Sequence, residues 1–380
     1  MLAAGAAVQL LTGIPAAWGV FQKPVMADYG FSRAQAGLCF ALLVAFYGVG
    51  CVLGGFLQDA KGPRAAGLSG AALLGGGFLA AALVPGGAAW LFYLVFSISA
   101  GLGSAFLCPA VLACVQKWYA TRKGLATGVT GVSMGLSGAF LTLFVKQIGE
   151  RYGMRACMAA LGAVMLLVCG AGASVLENPP AAYQPKGPPK PAAPDFSPGK
   201  MLRTRQYKLC LAGVALASPP VLLFSPDILQ IAAERGMAES AAAWCIILGS
   251  AASAAGRLLC PLVSDHCGRK RVLCLIYGGL GVGSVLLAFA GGWWVAAAYA
   301  ALDFFYSGGA AVQPSLNSDL FGLPHAGVNY GFMALGMSAG SLISYAGSQW
   351  LPMPARHIAA AVCAVAGLVC FARLKSTAEQ

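Results

Sequence analysis

Charge is what this sequence has least of. Of 380 residues, 12 are acidic and three are histidine, and the four charged types together make up 9%. Hydrophobic residues account for 59%, and mean hydropathy is +0.76. A water-soluble globule of this length needs far more polar surface, so that class is excluded. The nucleotide-cradling pattern G-x-x-x-x-G-K-[ST] is absent, so no ATP-driven machine is expected. Cysteine is abundant at 13, but it is scattered singly through apolar runs, as at Cys39, Cys51, Cys157, Cys169 and Cys363. Without C-x-x-C spacing these residues read as small packing groups. His266, His325 and His357 stand near the ends of runs and form no ligand set, and no nucleophile–base constellation appears. Neither a metal, a cofactor nor an enzymatic activity is expected.

What is there is a series of long apolar runs. A helix needs roughly 20 apolar residues to cross the hydrocarbon core, and only helices or closed barrels satisfy their backbone there. These runs are too long and continuous for alternating barrel strands. Twelve spans are predicted, at about 2–22, 35–57, 66–85, 89–113, 124–146, 152–175, 207–232, 239–261, 272–290, 293–315, 328–350 and 355–373. The fold class is therefore all-α, a polytopic membrane protein of twelve transmembrane helices. The first run is longer than a signal-peptide core and ends at no small-residue cleavage site, so no cleaved leader is expected. Sixteen of the 24 basic residues, among them Lys61, Arg64, Lys117, Arg122, Lys123, Lys186, Lys190, Arg269 and Lys375, fall on one side of the spans. Seven, namely Lys23, Arg33, Lys146, Arg151, Arg155, Arg235 and Arg356, fall on the other. The positive-inside rule makes the first side cytoplasmic, with both termini there, as in a cell inner-membrane protein. The net charge of +12 is mostly this topology signal, and nucleic acid is not an expected partner.

The stretch ENPPAAYQPKGPPKPAAPDFSPGK, residues 177–200, is rich in proline and has no apolar period. It predicts an extended, solvated linker within 177–206, between a six-helix bundle at 1–176 and a second at 207–380. The two halves echo each other. GGFLQDAKGPR (54–64) follows span two and CPLVSDHCGRKR (260–271) follows span eight, with Asp59 three residues before Gly62 and Asp265 three before Gly268. GLATGVTGVSMG (124–135) and GVNYGFMALGMS (327–338) open spans five and eleven, where Gly124 and Gly128 answer Gly327 and Gly331. Two six-helix pseudo-repeats of this kind build transporters that rock about a central site.

The loop Gly55, Leu57, Asp59, Lys61, Gly62, Arg64 resembles the signature loop G-x-L-x-D-x-K-G-x-R of the major facilitator superfamily. Its second copy departs at Pro261. QKWYATRKGLATG (116–128), VQPSLNSDLFG (312–322), GVNYGF (327–332), and an arginine in span eight followed eight residues later by Asp265, narrow the resemblance. They are similar to the oxalate:formate antiporter and monocarboxylate transporter branch, over essentially the whole chain. The resemblance implies that Asp59, Gly62 and Arg64, and by repetition Asp265 and Arg269, are gating residues; topogenic charge alone is the plainer reading. Small-xxx-small spacings in spans four, five and eleven suit tight or sliding helix contacts.

Arg257 interrupts the apolar run SAAGRLLC. Charge inside a span costs a few kcal/mol and normally faces a cavity or a partner. Counting from Asp265, Arg257 lies about 12 Å inward at 1.5 Å per residue, which is mid-membrane. Its permanently charged fork matches a carboxylate, and its position matches the substrate-binding arginine of the resembled family. A structural ion pair is the alternative. Asp303, about ten residues into span ten, is the natural partner at similar depth and a candidate carrier of a coupling proton. Lys23, in WGVFQKPVMADYG, resembles the lysine that first captures anion and proton in monocarboxylate transporters; an interface lysine is the alternative. Gln9, Trp18, Tyr47, Tyr93, Tyr306 and Gln313 are further candidates for a polar cavity, although aromatics in spans often only pack. Pro219, Pro220 and Pro226 disrupt span seven ahead of Asp227 and predict a bent helix there.

Two departures from the resembled families bear on substrate. Oxalate exchangers carry a lysine in span eleven where this chain has Met337, and monocarboxylate transporters carry an aspartate where it has Ser253. A single central cation favours a monoanion, because a second carboxylate would be poorly compensated. The expected function is secondary transport of small organic anions, proton-coupled monocarboxylate transport by alternating access, in a monomer surrounded by lipid. Carboxylate antiport of the oxalate:formate kind and a non-transporting sensor on the same fold are the alternatives.

Overall fold

The computed structural model describes residues 1–119, 123–180, 196–322 and 325–374, with residues 123–126 described by backbone alone. Of the residues invoked above, Arg122, Lys186, Lys190, Lys375 and most of the proline-rich stretch (181–195) lie outside the described residues.

Among the described residues, ten helical runs are long and apolar enough to cross a membrane. One of them, Arg33–Ala82, is two helices, because Gly62 sits at φ 84°, ψ 171° and is followed by Pro63, which has no N–H to continue the ladder. Ala326–Trp350 is equally long at 25 residues, though its serines and glycines dilute its hydropathy. Twelve spans result: α1 (Leu2–Tyr29), α2 (33–61), α3 (63–82), α4 (Ala89–Trp118), α5 (123–152), α6 (Met154–Ser174), α7 (Arg205–Glu234), α8 (Glu239–Cys267), α9 (Arg269–Phe289), α10 (Trp293–Phe321), α11 (Ala326–Trp350) and α12 (Met353–Ala372). The chain is a multi-pass membrane protein.

The duplication extends to backbone geometry. Positive-φ glycines recur in register in the two halves, Gly30 with Gly236, Gly62 with Gly268, and Gly87 with Gly292. Each closes the same turn of its six-helix unit, where a side chain would strain the backbone. As its prolines require, α7 is broken, with helical pieces at Arg205–Ala217 and Pro219–Leu222, a 3₁₀ turn at Ser225–Asp227, and a last piece at Ile228–Glu234.

The expected extended linker is corrected at its C-terminal end. Phe196 N–H donates to Phe321 O at 3.0 Å, Asn329 Nδ2 donates to Phe196 O at 3.0 Å, and Pro198–Arg203 is helical with Met201 fully buried. The physical reason is local: Phe196 and Met201 are apolar enough to dock on the ends of α10 and α11 once proline density falls.

The halves meet along two antiparallel seams. On the first, α2 faces α11: Tyr345 OH donates to Ala34 O (3.2 Å), Ser341 Oγ to Ala41 O (2.8 Å), Ser338 Oγ to Ala45 O (2.5 Å), and Gly331 lies against the Cys51 carbonyl. On the second, α5 faces α8, with Gly128 against Leu258, Gly131 against Arg257, Gly135 against Ala254 and Gly138 against Ser250. The repeat exchanges the seams, since Gly48 opposite Ser338 corresponds to Ala254 opposite Gly135. Both seams are tight along these stretches, and only small residues let the backbones approach so closely.

A Cβ on Gly48 would lie 2.7 Å from Ala334 O, and one on Gly135 would lie 2.8 Å from Ala254 Cβ. Gly48→Val and Gly135→Val should each fold yet disfavour the closed seam by about 1–3 kcal/mol. Pulsed electron resonance between labels at Arg64 and Arg271, with exposed Cys267 changed to Ser, should show the halves separating. An unchanged distance distribution would show that the seams do not set closure.

Candidate functional site between the halves

The sequence of α8 alternates small residues with one long polar one. Gly249, Ser253 and Gly256 lie against α10, where Ser253 Oγ donates to Ser307 Oγ at 2.7 Å. Ser250, Ala254 and Leu258 lie against the glycines of α5. Arg257 emerges between these two packings, its Cβ 3.4 Å from the position a Cβ on Gly131 would occupy, a looser approach than Gly135 makes to Ala254. Its charge is felt by Cys108 of α4, Asp303 and Tyr306 of α10, and Tyr330 of α11. The guanidinium is partly exposed, its Nε is buried without an acceptor, and no hydrogen bond or ion pair reaches it among the described residues.

The expected direct pairing of Arg257 with Asp303 is not formed. The register between α8 and α10, set by the Ser253–Ser307 bond and by Gly256 on the Phe304 carbonyl, carries Asp303 toward Gly249 and Tyr299. Tyr306 comes nearer the level of Arg257 instead. The two opposite charges interact through space without a shared hydrogen bond, which leaves the arginine fork free for another anion. The N-terminal half has no matching charge, because the position that repeats Arg257 is Cys51.

Around this centre the remaining candidates divide. Gln9, 4% exposed, is used within its own half: its Nε2 donates to Cys108 O (3.3 Å), while its Oε1 accepts from Cys108 Sγ (2.8 Å) and from Thr12 Oγ1 (3.0 Å). It holds Cys108 in place beside Tyr47. Gln313, Tyr306 and Met337 line one narrow cleft of the C-terminal half. Trp18 is fully buried in an aromatic stack with Phe21, Phe40 and Phe96. Tyr93 opens a π-helical turn in α4 and lies near Cys39 and Tyr345, away from the arginine. Lys23 is also distant. It pairs with Glu239 at 2.7 Å, both side chains being about four-fifths exposed, and Glu239 starts α8 roughly 27 Å from Arg257 at about 1.5 Å per residue.

The two ends of the bundle carry charge clusters of different kinds. At one end Asp59 lies by Gly327, at the start of α11, where helix N–H groups face a carboxylate favourably. Arg64 is exposed. Arg269 joins Asp265 (2.5 Å) and Asp319 (3.4 Å) and also reaches Ser264 Oγ, all within the C-terminal half. That makes it a brace of its own half, whereas Asp59 spans the two. At the opposite end Asp227 collects Arg33 (2.8 Å), Gln22 (3.1 Å) and Arg356 (3.7 Å), tying α1 and α2 to α7 and α12.

Sequence reasoning missed three participants. Tyr330 belongs to the NYG stretch but carried no chemical signal of its own. Cys108 looked like any packing cysteine. Asp227 was noticed only for the prolines before it, since its partners lie far away in sequence.

The comparisons with known proteins agree with this geometry. A sequence model described as Major Facilitator Superfamily matches residues 3–226 and 220–379. The chain is 26% identical over 344 residues to the uncharacterized MFS-type transporter YhjX of Escherichia coli (strain K12), covering 88% of this chain and 83% of that one. It is 25% identical over 329 residues to the oxalate:formate antiporter of Oxalobacter formigenes, covering 85% and 77%. Human monocarboxylate transporter 11 is 26% identical over 175 residues, covering 46% and 36%. Among solved structures, FucP in its outward conformation superposes with a TM-score of 0.67 at 17% identity, covering 99% of both chains, which shows the shared fold. The twelve spans, the repeated Asp–Gly loops and the family match over nearly the full length establish that this chain belongs to the Major Facilitator Superfamily.

Proposed function

We propose that this transporter carries small organic monoanions, monocarboxylates above all, in symport with protons across the cell inner membrane, both termini facing the cytoplasm. One observation carries the reading: the guanidinium of Arg257 in α8, beside the α5 seam, has no hydrogen-bonded or ion-paired anion among the described residues. Keeping an unpaired cation inside a span costs several kcal/mol, and a bound carboxylate would offset it through two parallel hydrogen bonds. Tyr306 and Tyr330 supply hydroxyls beside it. The single cation, with Met337 in the facing wall, suits one carboxylate better than two.

Asp303 is assigned the proton. It feels Arg257 without bonding to it, so arrival of an anion at the arginine removes the positive field that favours the ionised carboxylate. A proton then joins Asp303 as substrate binds, and the loaded site is nearly neutral when the halves rock. Asp59, Gly62 and Arg64 belong to the cytoplasmic gate, with Asp265 and Arg269 as its C-terminal counterpart. Lys23 stands at the outer rim as a first contact for anions.

Carboxylate antiport remains the second reading, because the similarity to the oxalate:formate antiporter spans most of this chain, whereas that to monocarboxylate transporter 11 spans 46% of it.

Proteoliposomes given radiolabelled formate, acetate, lactate and oxalate, with and without an inward proton gradient, separate these readings. Gradient-driven uptake of a monocarboxylate is expected, and uptake that requires carboxylate inside the vesicle would make the protein an exchanger. Arg257→Lys keeps the charge but loses the fork, and uptake should fall by about tenfold or more, as for losing 1–3 kcal/mol of bidentate binding. Full uptake in that variant would reduce Arg257 to a structural charge. Asp303→Asn should abolish acceleration by the proton gradient while sparing exchange, and undiminished gradient-driven uptake would remove Asp303 from the mechanism.

A further inference from the structure

A second space between the halves lies away from Arg257. A cavity of about 410 Å³ lies between the halves at the Asp227 end. Arg33 comes into its wall from the N-terminal half, and Asp227 and Arg356 from the C-terminal half. Its floor is Phe40, Ala41 and Ser341, sealed by the Ser341–Ala41 and Ser338–Ala45 bonds of the α2–α11 seam. Tyr47 lies about 9 Å further along α2 than Ala41 at 1.5 Å per residue, so the cavity stacks above the central site with one layer of seam between them.

The charges in the wall do not balance, with two guanidiniums to one carboxylate. Arg33 takes Asp227 with its fork, Nη2 to Oδ2 at 2.8 Å and Nε to Oδ1 at 3.3 Å, and Gln22 Nε2 adds a bond to Oδ1 at 3.1 Å. Glu234 is within electrostatic range of Arg33 but does not line the space. Arg356 is the odd cation. Its side chain is 13% exposed, and its orientation is fixed by donation from Nε to Leu351 O (3.0 Å) and from Nη2 to Ser348 O. Its Nη1 is buried with no hydrogen-bond acceptor, 3.7 Å from the already shared Asp227 Oδ2.

We propose that this cavity is a second carboxylate site, a capture site built on Arg356 and Arg33, at which the incoming anion takes Arg33 over from Asp227. The proposal rests on the reading of the protein as a carboxylate transporter and adds to it a place and a consequence. An anion on Arg356 Nη1 brings the wall to two cations and two anions. Its second oxygen competes for the fork of Arg33, and the Arg33–Asp227 bond is a two-pronged tie between the halves at this end. Binding at the rim thus weakens the latch that shuts the rim, and Asp227 keeps Arg356 as partner when Arg33 departs.

The test is the reactivity of a cysteine placed in the wall. Gln349 lines the cavity and is exposed, so Gln349→Cys is labelled with anionic and cationic methanethiosulfonates, against the parent chain to subtract its own cysteines. The anionic reagent should react several-fold faster. Arg356→Gln, or Arg33→Gln should the first variant fail to fold, should abolish that preference. Millimolar acetate or lactate should slow labelling, and should still do so with Arg257→Gln. Equal rates for the two reagents would overturn the site, as would protection that vanishes with Arg257→Gln, which would trace it to the centre. Protection without any carboxylate uptake by the unaltered chain would sink the transport reading and leave the capture site standing. Uptake without protection would do the reverse.

Discussion

A guanidinium held midway through a hydrocarbon-spanning bundle is the constraint around which this structure is organised. It can stay charged at that depth only where the surrounding helices leave polar space, and the chain meets that need with tyrosines of α10 and α11 near Arg257. Helices α8 and α11 also belong to the two inter-half seams. Chemistry and motion therefore share one place: any movement of α8 against α5, or of α2 against α11, changes what faces the arginine.

Closure is distributed over surfaces of opposite character. Along the seams contact is made by glycine, alanine and serine, whose backbones meet without long side chains to disengage, so separation costs little beyond lost packing and a few hydroxyl–carbonyl bonds. At the Asp227 end it is made by charge, where Arg33, Gln22 and Arg356 converge on one carboxylate. Ion pairs respond to an arriving anion and packed glycines do not. That contrast gives the Asp227 end its sensitivity and leaves the seams as passive bearings. The asymmetry of the duplication adds direction, because only the C-terminal half carries Arg257 and Asp303 while its twin has Cys51 at the arginine position.

Much of this was legible in residue order. The spans, the division into halves and the paired loops follow from local composition and from spacings such as Asp59 to Gly62 and Asp265 to Gly268. Even the broken α7 could be read from Pro219, Pro220 and Pro226. Residues whose role depends on partners across the bundle were not legible. The pairing of Lys23 with Glu239 joins residues far apart in sequence. The bond of Arg269 to Asp319 likewise joins two separate helices. The last residues of the proline-rich stretch looked solvated, yet Phe196 and Met201 dock.

The sequence by itself determined that the chain spans a membrane twelve times, that it is a duplication, and that one arginine interrupts the eighth span, because each of these depends only on the count and period of residues along the chain. The tertiary structure alone decided that Arg257 and Asp303 stand near each other without bonding, and that Asp227 is shared by two arginines. Both depend on the register of one helix against another, which is fixed by which small residue faces which, to within a fraction of a turn.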